Sequence, residues 1–221
     1  MIVLAVDTTS ERESVALVEG GEVRGEVRLR TSDGHSQRLL PAIEFLLRAS
    51  GLRAAEVEGF AVAVGPGSFT GLRVGLSTVQ GLALAAGRSC LGISTLDLLA
   101  AEAAGEAPTV VAVVDGARTD QVFAALYDVQ ARRIDEPRAE TIDALLARVS
   151  GPAAFVGDGA QRHLEAIVAR QPLARFPRRD LYLAGTLGRM AEPRLAAGEG
   201  VPPGALRALY LRPAEIRKSA P

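Results

Sequence analysis

The stretch Val3-Leu4-Ala5-Val6-Asp7 recurs 108 positions later as Val111-Ala112-Val113-Val114-Asp115. In the first copy seven turn-type residues follow the Asp before a second apolar run, Val15-Ala16-Leu17-Val18. In the second copy seven residues again lead to Phe123-Ala124-Ala125-Leu126. Apolar, β-branched runs that stop at an Asp, turn and return spell an antiparallel hairpin. A third strand is expected around Val23 to Leu29 in the first half and around Arg132 to Ile134 in the second. A further echo has an offset of 92: Ala61-Val62-Ala63-Val64-Gly65-Pro66-Gly67 against Ala153-Ala154-Phe155-Val156-Gly157-Asp158-Gly159. Each copy is a short buried strand, a Gly-x-Gly and a helix. The smaller offset implies that the second half has lost 16 residues, through a shorter helix over Ile142 to Val149 where the first half has Gln37 to Ala49 and a loop.

Each half thus reads as three antiparallel strands, a helix, a strand, Gly-x-Gly and another helix. A period of roughly 100 residues is too long for a solenoid and predicts an α/β protein of two duplicated lobes, each a mixed sheet with flanking helices. The boundary is placed where Gly105-Glu106-Ala107-Pro108 breaks the helix over Leu96 to Ala104. This gives an N-terminal lobe, 1–106, a C-terminal lobe, 107–221, and a cleft between them.

The 221 residues are 48% hydrophobic and 23% charged, with 25 basic against 26 acidic side chains, the balance of an ordinary globular chain. A net charge of −1 and a pI near 6.2 argue against a stand-alone nucleic-acid binder. Lys218 is the only lysine, a bias typical of GC-rich coding, so arginine clusters carry little weight. The single Cys90 forms no internal disulfide, and His35 and His163 lie far apart without a second Cys or His at ligand spacing, which excludes structural zinc. No apolar run approaches the ~18 residues of a membrane helix. The chain opens directly on a strand, so no membrane association and a cytoplasmic location are expected.

Asp7 and Asp115 end equivalent strands and would face each other across the cleft, as paired carboxylates do around a Mg-nucleotide. The competing reading is an Asp that bonds its own turn. The turn Thr8 to Glu13 has no glycine to cradle phosphate, and Glu11 and Glu13 would repel it. Gly65 to Gly75 is the densest motif, open to three readings: a phosphate loop, a capped turn with Ser68 or Thr70 as cap, or a protein-binding element. It lacks the Gly-Lys-Ser/Thr of a P-loop and the Gly-x-Ser-x-Gly of a nucleophile elbow. From Gly71 to Gly87 the following helix has one charge, Arg73, which shares a narrow face with Gln80. A helix apolar on its remaining sides is buried on most of them, so a partner is expected on the side the sheet does not cover. Gly71 and Gly75 would let a second helix approach. His35, with Ser36 as helix cap, His163 and Cys90 read as structural.

Val6-Asp7-Thr8-Thr9, Ser14-Val15-Ala16-Leu17, His35-Ser36-Gln37-Arg38-Leu39-Leu40-Pro41, the Gly65 to Gly75 run, Gln80-Gly81-Leu82-Ala83, Gly92-Ile93-Ser94-Thr95-Leu96, Asp115-Gly116-Ala117-Arg118 and Tyr210-Leu211-Arg212 together resemble the TsaB (YeaZ) family. The likeness runs in order through most of the chain. It implies the actin-like ATPase (ASKHA, ribonuclease H-like) fold. It also implies a non-catalytic partner of a TsaD-like transferase in forming N6-threonylcarbamoyladenosine beside the anticodon of tRNAs reading codons that begin with A. A TsaE-like ATPase joins such a pair, tRNA is met only through the complex, and ATP and a metal sit on the partner proteins, none on this chain. The His-x-x-x-His metal pair of TsaD is missing here. The family also forms homodimers through N-terminal-lobe helices. The expected interface is therefore Leu39, Ile43 and Leu46 on one helix and Gly71, Leu72, Arg73, Gly75, Leu76, Val79, Gln80 and Ala83 on the other, with one stripe in the core and one at the partner. Asp115-Gly116 departs from the family pattern by one inserted residue. The alternative is a small-molecule kinase or ATPase using Asp7 and Asp115 with Mg-ATP; a metallopeptidase ranks last for want of ligands.

Overall fold

The computed structural model describes residues 1–30, 35–116 and 120–211. The first half comprises β1 (Ile2–Asp7), β2 (Arg12–Glu19), β3 (Glu22–Arg30), α1 (His35–Ala49), β4 (Gly59–Ala63), α2 (Phe69–Ala86), β5 (Cys90–Ile93) and α3 (Thr95–Glu102). The second comprises β6 (Thr109–Asp115), β7 (Gln121–Asp128), β8 (Arg138–Thr141), α4 (Ile142–Arg148), β9 (Ala153–Val156), α5 (Asp158–Arg162), α6 (Leu164–Arg170), β10 (Ala174–Arg175) and α7 (Ala184–Ala196). The sheets run β3-β2-β1-β4-β5 and β8-β7-β6-β9-β10, the same order twice.

The duplication holds to the register in the hairpins: Val3 pairs with Val18, and 108 positions on Val111 pairs with Leu126. It does not hold in the parallel pairs. Val3 lies opposite Gly59, 56 residues on, whereas Val111 lies opposite Phe155, 44 on; the second half is 12 residues shorter at this point, not 16. The Gly-x-Gly echo is thus alike in type but four positions out of register. The third strand of the second half also differs from expectation, since β8 starts at Arg138 and Arg133 makes only a bridge to Tyr127. Asp128 Oδ1 accepts the N–H groups of Gln130 and Arg132 and Ala131 takes a left-handed φ of 59°, which curls residues 128–132 into a turn. Pairing resumes only after Pro137.

Both faces of each sheet are covered, which is why the central strands are continuous apolar runs rather than alternating ones. On one face of the first sheet, Leu4, Val6, Leu17 and Phe60 pack under α1 and α2. On its other face, Val3, Ala5 and Ala61 share a core with α3, α7 and the Val110, Ala112, Val114 and Tyr127 side of the second sheet. Helices α4, α5 and α6 close the far face over Val111, Val113 and Phe155. One continuous core therefore joins the lobes.

The sheets change over between α3 and β6, around the expected 106/107 boundary, but the second lobe does not run on to 221. The second sheet ends at Arg175, and the chain then returns: α7 packs on β1, β2 and β4, Val201 bridges Cys90, and Leu209 N donates to Val64 O at 2.7 Å. Residues 184–211 belong in space with the first lobe. A Cβ on Gly188 would fall 2.3 Å from Val18 Cγ2, so only glycine lets α7 lie this close to β2. The expected cap of α1 cannot be compared, because α1 already includes His35 and the side chains of residues 35 and 36 lie outside the described part.

Glu192 holds α7 in place. Its carboxylate accepts the N–H groups of Gly20 and Gly21 at 2.7 Å each and the Met1 ammonium at 3.2 Å. Burial by itself would raise this carboxyl, but the Gly21, Gly20 and N-terminal donors outweigh it and hold it below the usual glutamate range. A depressed carboxyl contributes stability above its unfolded value near 4.5 and loses it as pH falls through the folded value. Glu192→Gln is expected to lower unfolding stability by about 1–3 kcal/mol at pH 7 in urea titrations. The gap to the parent should stay constant down to about pH 4.5 and narrow below it.

Candidate functional site: the interlobe cleft and the start of α2

The β1–β2 turn and the first turn of α2 are built against each other. Asp7 Oδ1 accepts from Thr9 N at 3.0 Å and Thr9 Oγ1 at 2.7 Å, so this carboxylate shapes its own turn. Thr8 Oγ1 donates to Gly71 O at 2.7 Å and Ser68 N donates to Thr9 O at 2.7 Å. Ser68 caps α2 through Gly71 N at 3.2 Å, as one of the two expected caps. A Cβ added at Gly67, Gly71 or Gly75 would lie 2.4 Å from Thr9 O, 1.9 Å from Thr8 O or 2.3 Å from Thr8 Oγ1. The glycines of the Gly65 to Gly75 motif thus admit this turn of the same chain, not a second helix.

Beside this junction the lobes enclose a cleft of about 410 Å³. Its apolar walls include Pro66, Phe69, Leu72, Phe123 and Tyr210, and its charged lining is Glu11, Asp115 and Asp158. Phe69 and Tyr210 stand at 6.0 Å between ring centroids, and the Arg73 guanidinium lies 3.8 Å from the Phe69 ring centroid. Asp115 Oδ2 pairs with Arg162 Nη1 at 2.5 Å. Asp158 Oδ1 accepts from Asp115 N at 3.0 Å and Gly159 N at 2.8 Å. Burial raises the Asp158 carboxyl, with those two backbone donors opposing the shift.

The two aspartates expected to face each other do not. Asp7 is fully buried behind Thr9 and does not reach the cleft, whereas Asp115 does. Glu13 is likewise buried on β2, leaving Glu11 as the turn carboxylate that faces the cleft. The chain itself occupies the backbone donors at the start of α2. The turn has no glycine, and the Ser68 and Gly71 N–H groups at the α2 start donate to Thr9 O and Ser68 Oγ. Among the described residues, no three His, Cys, Asp or Glu side chains gather as a metal site.

The interface residues expected from the sequence are redistributed. Leu39, Ile43 and Leu46 on α1 and Val79 and Ala83 on α2 share one core, and Leu72 is also buried. Both stripes are therefore internal, since the two neighbouring helices roof the same sheet face together. Gly71 and Gly75 face Thr8, and Leu76 packs partly against that core. Gln80 Nε2 donates to Pro203 O at 2.9 Å and Leu206 O at 3.2 Å, tying down the returning chain. Of the set, Arg73 is exposed. What these helices turn outward is Leu40 and Phe45 on α1 and Leu84 on α2, the last 73% exposed. The Ala117, Arg118 and Arg212 portions of the quoted motifs lie outside the described residues.

A family model described as TsaD: tRNA N6-adenosine threonylcarbamoyltransferase matches residues 20–188. An activator of the 2-hydroxyisocaproyl-CoA dehydratase from Clostridium difficile, 9% identical, superposes at a TM-score of 0.50 over 89% of this chain and 98% of its own, a likeness of fold alone. The lobes are those of the actin-like ATPase fold, and the sequence stands among relatives of a tRNA-modifying transferase. Within that group the chain belongs to the TsaB (YeaZ) family. It is 36% identical over 170 residues to the tRNA threonylcarbamoyladenosine biosynthesis protein TsaB of Escherichia coli (strain K12), covering 73% of each chain. YeaZ from Pseudomonas aeruginosa superposes at a TM-score of 0.80 with 32% identity, over 95% of this chain and 99% of its own.

Two glycines of α2 give a paired test of the turn-docking geometry. Gly71→Ala drives a methyl into Thr8 O and is expected to destabilise the chain by about 1–3 kcal/mol or more. Gly81 has no atom within 4 Å of its added Cβ, so Gly81→Ala should stabilise by roughly 0.5–1 kcal/mol in the same denaturant titration.

Proposed function

We propose that this chain is a supporting subunit in the formation of tRNA threonylcarbamoyladenosine, acting by binding a TsaD-like transferase rather than by catalysis of its own. Membership of the TsaB family carries this reading. The cleft chemistry supports it: the turn has no glycine to cradle a phosphate, and Asp7, one of the two carboxylates the Mg-ATP alternative relies on, is buried away from the cleft. ATP and the catalytic metal then belong to the partner proteins, a TsaE-like ATPase among them, and tRNA is met through the complex. With a net charge of −1 the chain alone offers little to a polyanion. No helix among the described residues is long and apolar enough to cross a membrane.

The outward residues of α1 and α2 are the surface this reading assigns to the transferase or, in its absence, to a second copy. Leu40, Phe45 and Leu84 are 53%, 54% and 73% exposed on two neighbouring helices, and covering such side chains contributes about 1.5–3 kcal/mol each when complete. Light scattering of the purified chain with the same organism's TsaD-like protein should show conversion to a heteromeric complex at micromolar concentration. Leu40→Glu/Phe45→Glu/Leu84→Glu should keep the parent's circular dichroism and lose the complex. Val79→Glu instead buries a charge in the core and should unfold the chain. Retained binding by the folded triple variant would remove this surface from the interface. Titration calorimetry with Mg-ATP on the isolated chain should show no micromolar binding; such binding would favour the kinase alternative.

A further inference from the structure

A smaller pocket of about 20 Å³ adjoins the interlobe cleft, sharing Thr9, Ser10 and Asp158 with it and adding Thr95 and Arg12 among apolar side chains. Thr95 is 4% exposed, and its Oγ1 has no hydrogen-bond partner among the described residues. A buried hydroxyl left in this state is destabilising, whereas its backbone is satisfied, Thr95 N donating to Gly65 O at 2.8 Å. Asp158 lines the same pocket, and its Oδ1 accepts the N–H groups of Asp115 and Gly159.

The walls of the cleft outside this pocket are mainly apolar. Phe69 and Tyr210 are 47% and 50% exposed at the mouth, large for aromatic side chains of a folded chain, and Leu72 backs them. The charged lining is Glu11, Asp115 and Asp158 against Arg12. Glu11 is paired with Arg30 at 2.9 Å and Asp115 with Arg162 at 2.5 Å, so neither is a bare charge. With Glu11 and Asp115 paired, the groups left to meet a ligand are the Asp158 carboxylate, which shares its pocket with Arg12, and the Thr95 hydroxyl, and both can accept from a ligand that brings N–H donors.

We propose that the cleft binds a small flat aromatic or heteroaromatic molecule with an amidine- or amine-type head, its ring beside Phe69, Leu72 and Tyr210 and its head toward Asp158 and Thr95 Oγ1. The small pocket, about 20 Å³, has room for one nitrogen of the head, and the outer cleft, about 410 Å³, for the ring and the rest of the head. This site is separate from the outward faces of α1 and α2, so its test is independent of partner binding.

Benzamidine is the probe, and benzoate, of the same shape with the opposite charge and no donors, is the control. Titration calorimetry on the full chain should show saturable millimolar or tighter benzamidine binding, with benzoate at least tenfold weaker. Thr95→Val removes the hydroxyl and keeps the shape. It should weaken benzamidine by about threefold or more without lowering the melting temperature, because the parent hydroxyl has no protein partner to lose. Phe69→Ala should weaken it as well. Absence of saturable binding to the folded chain, equal binding of benzoate, or unchanged affinity in Thr95→Val would each overturn the proposal and leave the small pocket as a site for an internal water.

Discussion

The contact between the Thr8–Thr9 turn and the first turns of α2 is the constraint on which the rest of this molecule depends. Thr8 sits so close to Gly71 and Gly75 that neither position tolerates a Cβ, and its hydroxyl donates to the Gly71 carbonyl. Because the turn is fixed there, Asp7 is drawn inward to bond Thr9, while Ser68 and Phe69 are set at the cleft. One close packing therefore decides that the first aspartate is structural and that the cleft is walled by an aromatic side chain.

The second governing feature is that every sheet face is covered. The helices α3 and α7 are shared between the sheets, and Glu192 ties α7 to the β2–β3 turn and to the N-terminus. The lobes consequently share one hydrophobic core. Tyr127 Oη donates to Asp97 at 2.8 Å and Arg133 grips the same carboxylate at 2.7 and 2.8 Å, adding a polar link between α3 and β7.

The apolar character of α2 has a simpler origin than a partner on one side. The sheet lies beneath it, α1 beside it, and the returning segment around Pro203 to Leu206 covers a further side through Gln80. Three intramolecular neighbours account for most of its Leu and Val residues, and the large apolar side chains left exposed on the outer faces are Leu84 and, on α1, Leu40 and Phe45.

The sequence by itself determined the duplicated hairpins, the strand and helix types, and the family, because those rest on local periodicity and on contiguous motifs. The 108-residue offset translates directly into equivalent antiparallel registers, where each pair is fixed by a short turn. Only the tertiary structure decided the parallel registers, the place of residues 184–211, the burial of Asp7 and the sharing of one core by both helix stripes. Each of these depends on which distant segment covers a given face: α7 on β1, or α1 beside α2. An amphipathic pattern states that a face is buried without naming what buries it. Thr95 and Asp158 came to light for the same reason, since the cleft that unites them is made by residues from both halves of the chain.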